Sequence, residues 1–139
     1  MRKEFRQRLA KEYRYAATKM KEVTAERKMF YFSVLFGEAQ RILNFEWDRD
    51  IALIHMVTQQ SYGQINAQAL MLGNLVPVKT STVYEKLTQI TSDIATYFEK
   101  PEKECSKEEL CKILGRLAEI TYVTNGNGGY LYEKGIIKL

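Results

Sequence analysis

Apolar residues in the first part of the chain fall at Phe5, Leu9, Tyr13, Ala16, Met20, Val23, Phe30 and Val34, mostly in steps of three and four. That spacing predicts an amphipathic helix with a thin apolar seam, and residues 1–45 read as one uninterrupted helix. Its character changes near Met29. Up to Thr24 the seam is narrow, as in a two-helix contact. From Met29 to Phe36 every face is apolar, which predicts burial all round. The picture is of an arm, 1–28, that projects from or lies along a compact body, with Leu43 to Trp47 closing the helix.

Three further helices follow from the same pattern. Asp48 is a good N-cap, and the positions Ile51, His55, Thr58, Tyr62, Ile65, Ala69 and Leu72 form a seam that stops at Gly73-Asn74 before Pro77. The outer face of that helix is rich in amides: Gln59, Gln60, Gln64, Asn66 and Gln68. A capping box at Thr82-x-x-Glu85 opens a helix through Val83, Leu87, Ile90, Ile94 and Tyr97, which Lys100-Pro101 ends. A second box at Ser106-x-x-Glu109 opens one through Leu110, Ile113, Leu114, Leu117 and Ile120. Beyond it, Ile120 to Thr124 and Tyr130-Leu131-Tyr132 flank the turn signal Asn125-Gly126-Asn127-Gly128-Gly129, so a small β-hairpin is expected there. The predicted fold is all-α: an antiparallel four-helix bundle with a long basic N-terminal helix and a possible small C-terminal β-hairpin. Residues 1–139 form one domain, divided into the basic helical arm (1–28), the helical bundle (29–124) and a turn and tail (125–139).

Charge sharpens this picture. The first 28 residues hold ten Lys or Arg against four Glu, whereas the other 111 hold eleven against thirteen Asp or Glu. The excess positive charge therefore lies on the arm. On a helical wheel Lys3, Arg14, Lys21 and Lys28 cluster together with Arg6 nearby, and Glu4, Glu12, Glu22 and Glu26 lie on the other flank of the seam. Arg8 sits between Glu4 and Glu12, and Lys19 precedes Glu22 by three, so these two bases are locally neutralised. Arg27 falls on the seam; Lys11 and Arg2 are unassigned. The five residues Lys3, Arg6, Arg14, Lys21 and Lys28 are thus the candidate contacts to nucleic-acid phosphates, an affinity that does not depend on base sequence. Tyr15 and Tyr31 flank this region and offer hydroxyls.

Composition excludes several classes. No apolar run is long enough to span a bilayer, and the first long apolar cluster comes too late for a signal peptide, which sets the expectation of a cytoplasmic protein or a particle assembled there. Cys105 and Cys111 match no zinc spacing, and with one His a metal site is not expected; neither is any other cofactor. No Walker, dinucleotide or nucleophile-elbow pattern occurs.

The stretch Arg49-Asp50-Ile51-Ala52-Leu53-Ile54-His55 resembles the motif of the HEPN superfamily: Arg, a polar residue, a few variable positions, then His. That family comprises all-α bundles, often dimeric, many of them metal-independent ribonucleases. The resemblance implies a phosphate-binding role for Arg49 and proton transfer at a ribose hydroxyl for His55. The wheel, however, puts His55 on the apolar seam with Ile51, Tyr62 and Ile65, where a structural His in the core is the expectation. In size, charge placement and helix order the chain is similar to the small helical coat proteins of archaeal filamentous viruses. That likeness implies a non-enzymatic protein that wraps duplex DNA, associates with itself or with a related coat-like chain, and resides in the virion. A helical subunit whose basic arm packs on an acidic protein partner is the third expectation.

Overall fold

A computed structural model describes residues 2–45, 49–72, 80–123 and 134–136, and these described residues are almost entirely helical. Its α-helices are α1 (Arg2–Glu22), α2 (Ala25–Phe45), α3 (Arg49–Leu72), α4 (Thr80–Glu99) and α5 (Lys107–Val123), with one 3-10 turn at Glu102–Glu104. The predicted all-α class holds, but the predicted four helices are five among the described residues.

The difference arises at Val23-Thr24, where the expected long helix breaks. Two β-branched residues in succession weaken the helix here. The Thr24 carbonyl then accepts from the Arg27 and Lys28 amides at 3.0 and 3.2 Å, which starts α2 in a new direction. The chain folds back, so that Tyr15 of α1 meets Tyr31 of α2 with ring centroids 6.4 Å apart. The seam changes residues at the break. Lys28, Phe32, Leu35 and Ala39 are buried in α2, whereas Phe30 and Val34, which continued the α1 stripe in sequence, are 63% and 39% exposed. Arg27, assigned to the seam, is exposed as well. Burial all round for Met29–Phe36 is therefore overturned: the helix turns one face inward and leaves an aromatic face outside.

The first helix is also not a projecting arm. Phe5, Leu9, Ala10, Tyr13, Ala16, Ala17 and Met20 are all buried, and α1 packs most extensively on α4. The two run antiparallel, because Arg6 reaches Tyr97 and Lys100 while Arg14 reaches Ser92. Helices α4 and α5 form another antiparallel pair, tied by Arg116–Asp93 at 2.6 Å and Lys100–Glu109 at 2.8 Å. Helix α3 packs on α5 and α2. Tyr62 reaches across to α4, its hydroxyl donating to the Leu87 carbonyl at 3.2 Å and lying 2.7 Å from the Thr91 hydroxyl.

The ends of the other helices follow the sequence in part. Ser106 caps α5, its hydroxyl accepting from the Glu109 amide at 3.1 Å. Helix α4 stops before Lys100-Pro101, as predicted, but it starts at Thr80, so Thr82 lies inside its first turn rather than at its cap. The first strand of the expected hairpin is overturned, since α5 continues through Val123 and buries Ile120. Asp48, the Gly73-Asn74 stop and the Asn125–Gly129 turn lie outside the described residues.

Candidate functional site

The five candidate phosphate contacts separate into two groups by what surrounds them. Arg6 is buried, with its guanidinium against the rings of Tyr97 and Phe98 at 5.0 and 5.4 Å from their centres. It donates to the Tyr97 carbonyl at 2.8 Å, to the Lys100 carbonyl at 3.1 Å and to the Cys105 sulfur. Those carbonyls belong to the C-terminal end of α4, where unpaired C=O groups carry partial negative charge that a cation satisfies. Burial pushes the Cys105 thiol up and the Arg6 charge only partly opposes this, so Arg6 meets a neutral sulfur at pH 7. Lys28 does the same for α1: it is buried and donates to the Met20 carbonyl, near the end of that helix. Arg14 bonds Glu99 and the Ser92 and Thr96 hydroxyls, each at 2.8 Å.

Lys3 and Lys21 differ. Both are exposed, and neither has an ion pair among the described residues. Lys11, unassigned from the sequence, joins them on the outward arc of α1. Along this arc two grooves lie end to end. One of about 680 Å³ is lined by Lys3, Gln7 and Lys103 among others; the next, of about 700 Å³, is lined by Gln7, Lys11, Arg14, Tyr15 and Thr18. They share Gln7 and Glu99. Two acids line the grooves as well, Glu99, which is held by Arg14, and Glu102 beside Lys3 and Lys103. Lys103, on the 3-10 turn, was invisible in the sequence because only the antiparallel docking of α1 on α4 brings it beside Lys3.

The opposite flank of α1 is mixed in charge. Lys19 pairs with Glu22 at 3.8 Å, as the spacing predicted. Arg8 is near Glu12, whose carboxyl is raised chiefly by burial and also by Glu38 of α2. This flank carries exposed aromatics: Tyr15 and Phe30 both stand edge-on to Tyr31, with Phe30 and Tyr31 centroids 5.4 Å apart.

His55 lies deep in the core at 1% exposure, and its Nδ1 is 3.4 Å from the Tyr13 hydroxyl. Desolvation lowers its pKa to about 4, so the imidazole is neutral at pH 7. Burial raises the phenols of Tyr13 and Tyr62, which stay protonated. His55 is thus buried on the seam where the wheel placed it. Arg49 opens α3, but its side chain lies outside the described residues. Among the described residues no group of His, Cys, Asp and Glu is placed to hold a metal ion, and no helix is long and apolar enough to cross a membrane. Comparison with family models, curated proteins and solved structures finds no match.

Proposed function

We propose that this chain is a non-enzymatic nucleic-acid-binding protein that engages backbone phosphates, without regard to base sequence, through the outward arc of α1. The observation that supports this reading is the set of exposed lysines Lys3, Lys11 and Lys21 without ion pairs among the described residues, of which Lys3 and Lys11 each line one of two adjoining grooves. Lys3 and Lys11 are eight residues apart and Lys11 and Lys21 ten, which at 1.5 Å per residue spreads them over about 27 Å of helix axis. Such a line suits an extended polyanion better than one compact phosphate. In its finer form the proposal is coat-like: copies of the chain, alone or with a related chain, line up on duplex DNA.

Titration of duplex DNA at several salt concentrations tests the proposal. Binding through phosphates gives a log K that falls linearly with log salt, by about 0.9 per phosphate neutralised. Replacing Lys3, Lys11 and Lys21 together by Ala is expected to make the slope shallower by about 2 to 3, while Lys112→Ala, on α5, leaves it unchanged. A slope indifferent to salt sinks the reading and leaves the acidic-partner alternative. Electron microscopy of the same samples tests the coat-like form, which requires ordered filaments on DNA.

A further inference from the structure

The aromatic face that the break at Thr24 leaves outside is anchored by Tyr31, which packs against the core, while Tyr15 and Phe30 turn outward. Phe30 is 63% and Tyr15 52% exposed, and with half-buried Tyr31 they form a ridge at the rim of the α1–α2 hairpin. Isolated exposed apolar side chains are ordinary on protein surfaces; contiguous aromatic rings point to a contact. Two observations identify its chemistry. Tyr15 also lines the groove that holds Lys11 and Arg14, so the ridge begins where the lysine track passes. Two cations also stand beside it: the Lys19 ammonium, which pairs with Glu22, lies 5.8 Å from the centre of the Tyr15 ring, and exposed Arg27 stands one turn before Tyr31.

We infer that Tyr15 and Phe30 form a stacking platform for unpaired nucleobases, taken from a single strand whose phosphates follow the lysines of α1. This rests on the phosphate-binding reading above, apart from its coat-like duplex form, and takes a single strand as the ligand. A cationic track beside exposed aromatic rings is how sequence-tolerant single-strand binding works: phosphates give charge-driven affinity, and every base has a face to stack. A duplex keeps its bases stacked inside and gains nothing from the ridge.

The test compares labelled 20-mers of dT, rU and an abasic backbone by fluorescence anisotropy. The dT and rU arms separate DNA from RNA as the source of the bases. The intact chain is expected to bind at least one base-bearing strand about tenfold more tightly than the abasic one, within the range expected for a stacked base. The double variant Tyr15→Ala, Phe30→Ala should lose that difference with the salt slope unchanged, and Tyr15→Phe, Phe30→Tyr should keep it. Circular dichroism checks that the variants fold. Equal affinity of the intact chain for base-bearing and abasic strands overturns the platform and leaves the phosphate reading standing. Failure to bind any strand, abasic included, overturns both. Sedimentation without nucleic acid gives one further outcome: a dimer that the double variant dissociates assigns the ridge to a copy interface and overturns the platform.

Discussion

Arg6 shows how a base that looks free in a sequence is consumed by a fold. Its guanidinium satisfies two carbonyls at the end of α4 and lies against two aromatic rings. Arg6→Ala leaves those carbonyls without that donor and is expected to cost about 1–3 kcal/mol in urea unfolding, whereas Lys3→Ala should stay within about 0.5 kcal/mol. Equal effects of the two substitutions would refute the division of the basic residues into structural and exposed groups. His55 supplies a pH dependence of definite sign. In the unfolded chain it protonates near 6.5; in the fold it stays neutral down to about 4. The unfolded state therefore binds more protons across that window. Stability is full above pH 6.5 and falls as the pH drops toward 4, by up to about 3 kcal/mol. Unfolding measured from pH 7.5 to 4 should show this slope in the parent chain and lack it in His55→Gln.

Helices whose signals are local were readable in advance. Ser106 with Glu109 three residues on, the stop at Lys100-Pro101, and the seam through His55, Thr58, Tyr62 and Ile65 all rest on neighbours within a turn or two, and all four seam residues are buried. Ser106→Ala is accordingly expected to destabilise by about 1 kcal/mol, with Ser106→Asp retaining most of the stability; identical unfolding midpoints for Ser106→Ala and the parent would contradict the cap. The break at Thr24 carries a weaker signal: the apolar stripe jumps seven residues from Val23 to Phe30, and that gap marks the change of direction. Ile120–Val123 are helical despite their β-branched and aromatic character, because the buried face of α5 needs Ile120 and tertiary packing overrides local preference. In the candidate site, Lys3 and Lys21 could be named from the wheel. Arg6, Arg14 and Lys28 could not be set aside, because their partners, Lys100, Glu99 and the Met20 carbonyl, become neighbours only once α1 docks on α4 and the hairpin closes.

For the molecule as a whole, the decisive fact is that its most basic helix is also a central one. A frayed arm would exchange its amide hydrogens within seconds; the buried seam of α1 predicts the opposite. Amides from Leu9 to Met20 are expected to exchange only by global unfolding, with protection equal to that of α4 in hydrogen exchange followed by mass spectrometry. Fast exchange confined to α1 would restore the projecting arm. The same placement bears on nucleic-acid binding. In the proposed binding mode, lysines mounted on a rigid helix would meet a polyanion already ordered, at a smaller entropic cost than a disordered basic tail.

The docking of α1 on α4 also sets the order in which this chain acquires its structure. Arg6 and its Lys100 partner are separated by 94 positions, so α1, made before α4, is completed only after α4 has emerged from the ribosome. Until then the seam from Phe5 to Met20 has only the α2 side of its hairpin to cover it. Contacts that span most of the chain close slowly, since the loop entropy is spent before the contact returns it. Synthesis that stalls before Thr80 therefore leaves an apolar helix face open to chaperones and to other nascent chains. In this protein the vulnerable interval falls before α4 is made, and its length is set by the rate of translation through residues 23 to 100.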